Sequence, residues 1–142
     1  MKKLIVCLIT LSSVGFMSCQ EKSDKVPEAV KITFQKKYPG ENDPDWKKDD
    51  HGNWESHFKI DGEKYRADFN EDGTWIETEN DIKKDNLPEA IKKVLKEKFP
   101  DEEITEVERV DNAEKGLFYD VELKRKGKNK DIMFREDGTI IN

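Results

Sequence analysis

Two segments of this chain repeat one pattern of apolar and polar positions. One begins at Val26 and reads VPEAVKITFQKKYPG; the other begins at Leu87 and reads LPEAIKKVLKEKFPD. Apolar residues recur at Ala29, Val30 and Phe34, and at Ala90, Ile91, Val94 and Leu95. That spacing predicts two helices, each resting one face on a core. Pro27 and Pro88 suit a first helical turn, where an N–H is not needed. Glu28 and Glu89 complement the positive end of each helix dipole. Pro39 and Pro100 stop each helix one residue after Tyr38 and Phe99.

Beyond each helix the period changes from helical to two. WESHFKI (54–60) alternates Trp54, Ser56, Phe58 and Ile60 against Glu55, His57 and Lys59; LFYDVEL (117–123) alternates in the same way. These read as half-buried strands. Asp61-Gly62 predicts a tight hairpin, and KRKGKNK a looser one in the second copy. FNEDGTWI (69–76) and FREDGTII (134–141) are the closest strand match, each with a Glu-Asp-Gly turn closed by a glycine at positive φ. Weaker strands are expected around Trp46 and from Ile104 to Val110. The expected fold is α+β: two tandem units, each one helix packed on a roughly four-stranded antiparallel sheet. The units span 26–80 and 81–142, and the polar run ETENDIKKDN (77–86) joins them.

Composition separates the first residues from the rest. MKKLIVCLITLSSVGFMSC has Lys2 and Lys3, then an apolar run from Leu4 to Leu11, small residues and Cys19. This is the pattern of a secretory signal, too short and wrongly flanked for a spanning helix. The expected parts are a lipoprotein signal peptide over 1–18, lipidation of Cys19, and a polar tether over 19–25. Cleavage would remove Cys7 and leave Cys19 as the last cysteine, so the fold must rest on packing without a disulfide. Charged residues make up 41% of the 142-residue chain and the net charge is −6, before two lysines are lost with the leader. Such an acidic chain excludes nucleic acid as a partner.

The lipobox-like GFMSC, the VPEAV…YP and LPEAI…FP helices and the two EDGT hairpins together resemble the PepSY-like group of bacterial envelope proteins. In fold the chain is also similar to the β-lactamase-inhibitor protein, a tandem of the same helix-plus-sheet unit. The resemblance covers about residues 26–142. It implies an exported, periplasmic or cell-envelope binding protein, held to a membrane through Cys19. It also implies contact through a bare sheet face. No contact residue of the inhibitor protein has a counterpart motif in this chain.

The residues themselves offer four candidate kinds of chemistry. DFNEDGTWIETE meets the calcium-loop pattern with Asp68, Asn70, Asp72 and Glu79, but its flanks alternate like strands, and a hairpin turn accounts for it better. His51 and His57 have no third ligand at useful spacing, and solvated histidines are the better account. No nucleophile motif, phosphate loop or Cys-His pair is present, so no enzyme and no cofactor are expected. The remaining candidate is the sheet face away from the helices. In the first half it should show His57, Arg66, Asp68 and Ile76, and in the second Phe118, Asp120, Met133 and Ile141. The reading is therefore a non-catalytic exported binding protein, an inhibitor or modulator of an envelope protein or peptide, working through that face. The second reading is a small-ligand or calcium-binding envelope protein, and the third a structural envelope component without a ligand.

Overall fold

The computed structural model describes residues 25–141, so the expected signal peptide, Cys19 and most of the tether lie outside the described residues. Helix α1 runs from Glu28 to Lys37 and helix α2 from Glu89 to Lys98. Pro27 and Pro88 stand one position ahead of these bounds, as N-caps. At the other end Tyr38 N–H closes on Phe34 O and Phe99 N–H on Leu95 O. Neither helix is long and apolar enough to cross a membrane.

The strands are β1 Asp45–Lys48, β2 Trp54–Ile60, β3 Glu63–Phe69, β4 Trp75–Asp81, β5 Glu103–Asn112, β6 Gly116–Arg125 and β7 Lys128–Phe134. They form one seven-stranded antiparallel sheet in chain order, with a short 3-10 turn over Lys84–Asn86 between β4 and α2. This corrects the expected two tandem four-stranded sheets. The run read as a polar join begins as strand: Glu77–Asp81 pair with Glu108–Asn112, so β4 and β5 fuse the two halves. The expected fourth strand of the second half is reduced to a single bridge between Phe134 and Ile140. The physical reason lies at the strand edges. A free β4 and a free β5 would each expose a row of unpaired N–H and C=O groups, and pairing them removes both edges. The expected boundary between residues 80 and 81 thus falls inside β4.

Both helices lie on the same face of this sheet, because cross-strand partners share a face and the ladder carries Ala67 to Thr78, Thr78 to Asp111 and Asp111 to Leu117. Under them sit two separate cores. Val30, Phe34 and Tyr38 of α1 pack on Trp54, Phe58, Ala67 and Phe69. Leu87 ahead of α2, with its Ile91 and Leu95, packs on Val107, Tyr119, Val121, Leu123, Ile132 and Phe134. Phe34 is the centre of the first, with the rings of Tyr38, Trp46, Phe58 and Phe69 all around it. Burying a side chain of this size stabilises the fold by roughly 2 kcal/mol. Ile60, which alternates in phase with Trp54, Ser56 and Phe58, is 37% exposed at the end of β2.

Between the cores runs a polar seam. Tyr38 and Thr78 share a hydroxyl hydrogen bond, and Trp75 Nε1 donates to Thr78 Oγ1 at 3.0 Å. Lys37 lies 3.5 Å from the centroid of the Trp75 ring and 3.9 Å from Asp111. Burial pushes the Tyr38 phenol up to about 12, against the pull of its hydrogen bonds to Thr78 and Trp75.

The repeated motifs meet each other in space. Gly73 has φ +89, and a Cβ there would stand 2.7 Å from the backbone carbon and oxygen of Ala29. Gly138 has φ +85, and a Cβ there would stand 3.0 Å from Ala90 O. The glycine of each EDG turn therefore lets that turn press on the alanine of each PEA helix start. Asp72 and Asp137 hold the turns by accepting the N–H of Thr74 and Thr139. The second hairpin is as tight as the first, contrary to expectation: Asp61 and Gly62, and Lys126 and Gly127, are both two-residue loops with positive φ throughout.

Candidate functional site: the open face of the sheet

Because both helices cover one face, strand alternation turns a second set of side chains to the other. The cross-strand pairs Glu55–Asp68, His57–Arg66, Asp68–Glu77 and Arg66–Glu79 line it on β2 to β4. Glu79–Val110, Asp81–Glu108, Val110–Phe118, Glu108–Asp120 and Asp120–Met133 continue it across β4 to β7.

Arg66 organises the first half. Its Nη2 lies 3.2 Å from Asp68 Oδ2 and 2.8 Å from Glu79 Oε1. Asp68 is only 9% exposed, and its Oδ1 has no hydrogen-bond donor among the described residues. Burial raises Asp68 to about 6, Arg66 pulls it back, and Glu77 adds to the rise. Burial likewise raises Glu79 to about 8, again against Arg66 and reinforced by Glu108. One guanidinium does not offset the loss of water around two carboxylates that also repel each other.

Past Arg66 the carboxylates crowd together. Asp81, Glu106 and Glu108 bring oxygens within 4.8 Å of one another, as do Asp68, Glu77 and Glu79. Burial and Glu106 raise Glu108; burial and Asp131 raise Asp120, whose buried Oδ1 has no hydrogen-bond partner among the described residues. A shallow depression of about 170 Å³ joins His57, Arg66 and Glu79 to Asp81 and Glu108.

The residues expected on this face divide into three groups. His57, Arg66, Asp68, Asp120 and Met133 follow the open-face register of the ladder. His57 lies 3.3 Å from Glu55, and Lys115 Nζ lies 3.7 Å from Met133 Sδ. Ile76 sits beside the bulge where β3 and β4 shift register, with its carbonyl accepting Ala113 N–H. Ile141 lies beyond β7, its N–H donating to Met133 O. Phe118 is only 4% exposed, and with Val110 it belongs to neither helix-side core; Lys115 approaches its ring at 5.7 Å. Of the calcium pattern, Asp68 and Glu79 come together with Glu77. Asp72 is engaged in its own turn, and Asn70 N–H donates to Thr74 O.

The acidic band of β4 and β5 escaped the sequence reading. Its signal was present in Glu77, Glu79 and Asp81, which alternate through the run taken as a join, and in Glu106 and Glu108 beyond it.

Comparison with known proteins decides the family. The family model described as "Putative beta-lactamase-inhibitor-like, PepSY-like" matches residues 55–142, more than half of the chain. The chain belongs to this PepSY-like family. Solved structures share its fold. A DUF2874 family protein from Bacteroides ovatus is 21% identical, with a TM-score of 0.74 over 84% of this chain and 86% of that one. A protein from Bacteroides eggerthii described among "putative periplasmic proteins" is 21% identical, with a TM-score of 0.73 over 83% and 87%. A BLIP-like protein from Bacteroides fragilis is 22% identical, with a TM-score of 0.72 over 82% and 84%. No curated protein matches the chain. The PepSY-like match begins at Glu55, so it takes in β2 to β7 and with them the open-face carboxylates.

Proposed function

We propose that this PepSY-like chain is a non-catalytic, exported binding protein that takes a protein or peptide partner on the open face of its sheet and thereby inhibits or modulates it. The observation that carries this reading is a seven-stranded sheet with both helices on one side and no described helix on the other. A broad, rigid, mixed apolar and charged surface of this kind suits a macromolecular partner better than a small substrate. The inhibitor-like description of the family supports the same role, and the periplasmic description of the Bacteroides eggerthii neighbour supports export. The leader ending before Cys19 fits a lipid-anchored envelope protein, and the lipid would leave the sheet free. Contact would fall on His57, Arg66, Ile76, Asp120, Met133 and Ile141, with Phe118 buttressing them from below.

Capture from envelope extract of the source cell tests it. The chain and an Ile76→Ser/Met133→Ser variant, matched in fold by circular dichroism, are immobilised side by side. A partner held by the first and lost by the second is the expected result. A partner held equally by both removes the open face from the proposal, and two empty columns remove protein binding.

The second reading, a calcium site, is favoured by one feature: Asp68, Glu77 and Glu79 converge. Arg66 already occupies that convergence. Calorimetric titration with calcium decides it, and no heat at millimolar metal ends it.

A further inference from the structure

We propose that the groove between α2 and the start of β5 binds a free fatty acid, its alkyl chain on Leu95, Phe99, Ile104 and Leu123 and its carboxylate on Lys84 and Lys96. The groove lies on the helix side of the sheet, so this site is separate from the open face and independent of its partner.

Its shape and lining are those of a small-molecule site. It holds about 630 Å³, within the usual range for such pockets. Leu87, Leu95 and Leu123 are buried along it, and Phe99 and Ile104 are part-exposed to it. Covering that apolar lining removes it from water, which an alkyl chain does without any polar group to desolvate.

The charges at its rim select the head group. Lys84 stands on the 3-10 turn, and Lys92 and Lys96 on α2. Lys92 is already engaged, 2.8 Å from Glu89 and donating to Asp85 O. Lys84 and Lys96 have no ion pair among the described residues. Of the two lining carboxylates, Glu102 is held by Lys130 at 3.2 Å, which leaves Asp85. Two lysines against one aspartate give the rim one positive charge, on a chain whose net charge is −6. A carboxylate carries the single charge that balances it, whereas a phosphate monoester brings nearly two.

The first half of the chain has the same groove without these features. Val26, Lys31 and Phe34 line a space of about 500 Å³ at the repeat positions of Leu87, Lys92 and Leu95. The position of Lys96 is there Gln35, whose amide donates to Glu41 O. Trp46 lines it too, its ring centroid 5.3 Å from that of Phe34. The first groove thus has an indole against its helix and an amide tied to the backbone, and the second has an aliphatic lining and a lysine.

Calorimetric titration of the full chain with decanoate, kept below its micelle concentration, tests the site, and one-to-one binding is expected. Lys84→Gln/Lys96→Gln should weaken it at least about fivefold. Lys36→Gln/Lys98→Gln, which removes two exposed lysines elsewhere on the helices, should weaken it less than about twofold. Hexanoate, four methylenes shorter, should bind at least about tenfold more weakly. Ile104→Trp, matched in fold by circular dichroism, should block the groove and abolish binding; if that variant misfolds, the lysine pair and the chain-length series decide. Equal losses in the two lysine variants, or decanoate bound unchanged by a folded Ile104→Trp, would overturn the assignment. No heat with decanoate would overturn it outright. A dimer in sedimentation that Ile104→Trp dissociates would then give the groove to a second copy. Pelleting with phosphatidylglycerol vesicles that Lys84→Gln/Lys96→Gln abolishes would give it to a membrane surface. The open-face proposal stands or falls on Ile76→Ser/Met133→Ser, which none of these variants touches.

Discussion

Glu79 sets burial against an ion pair, and its substitution by glutamine shows which wins. Its carboxylate is 2.8 Å from Arg66, an arrangement that taken alone would lower its proton affinity. Loss of water, with Glu108, Glu77 and Asp68 nearby, raises it instead from 4.5 to about 8. A carboxyl whose folded value lies above its unfolded value holds more protons in the folded state, so stability falls as pH rises between the two. At about 1.4 kcal/mol for each unit, the whole shift would amount to about 5 kcal/mol between pH 4.5 and 8. The side chain of Glu79 is 13% exposed and that of Arg66 36%, so solvent screening reduces the effect to about 1–2 kcal/mol. The expected outcome is that Glu79→Gln matches the parent at pH 5 and exceeds its stability by about 1–2 kcal/mol at pH 9. Urea unfolding followed by tryptophan fluorescence at five pH values measures both curves. A parent whose stability rises from pH 5 to 9, together with a Glu79→Gln variant that is weaker at pH 9, would refute the reasoning and give the ion pair the larger part. Asp68, raised to about 6 by the same burial, contributes in the same direction over a lower window, from its ordinary value up to about 6.

Two more predictions concern the frame around the site. Gly73→Ala should cost about 2–4 kcal/mol and Gly138→Ala about 1–2 kcal/mol, since both hold positive φ but the contact on Ala29 is closer than that on Ala90; thermal unfolding of the two variants gives the order, and a reversed order would sink the packing account. Thr78→Val removes the hydroxyl that Tyr38 and Trp75 share as a hydrogen-bond partner at the seam between the cores. It should cost about 1–3 kcal/mol, and Tyr38→Phe less, by denaturant midpoint.

Much of the local structure was legible in the sequence. The VPEAV and LPEAI helices, the alternation of 54–60 and 117–123 and the two EDG turns appear where their periods put them, because each depends on residues close in sequence. The open-face positions of His57, Arg66, Asp68, Asp120 and Met133 followed from alternation alone. Ile60 departed from that pattern because it lies at the end of β2, where the helix no longer covers it.

What the chain cannot reveal by itself is how its strands choose neighbours. Repetition suggested two sheets, and the pairing of Glu77–Asp81 with Glu108–Asn112 made one. That pairing depends on backbone groups that every residue but proline carries, so no side-chain period announces it. The acidic band is a product of the same event. Glu79 and Asp81 meet Glu106 and Glu108 only because β4 and β5 lie side by side, and the raised proton affinities of Glu79 and Glu108 follow from the burial and crowding that the joined sheet imposes. Side-chain identity and period determined the helices, the turns and the two faces; edge-to-edge hydrogen bonding, seen only in the tertiary structure, decided the single sheet and brought the carboxylates together.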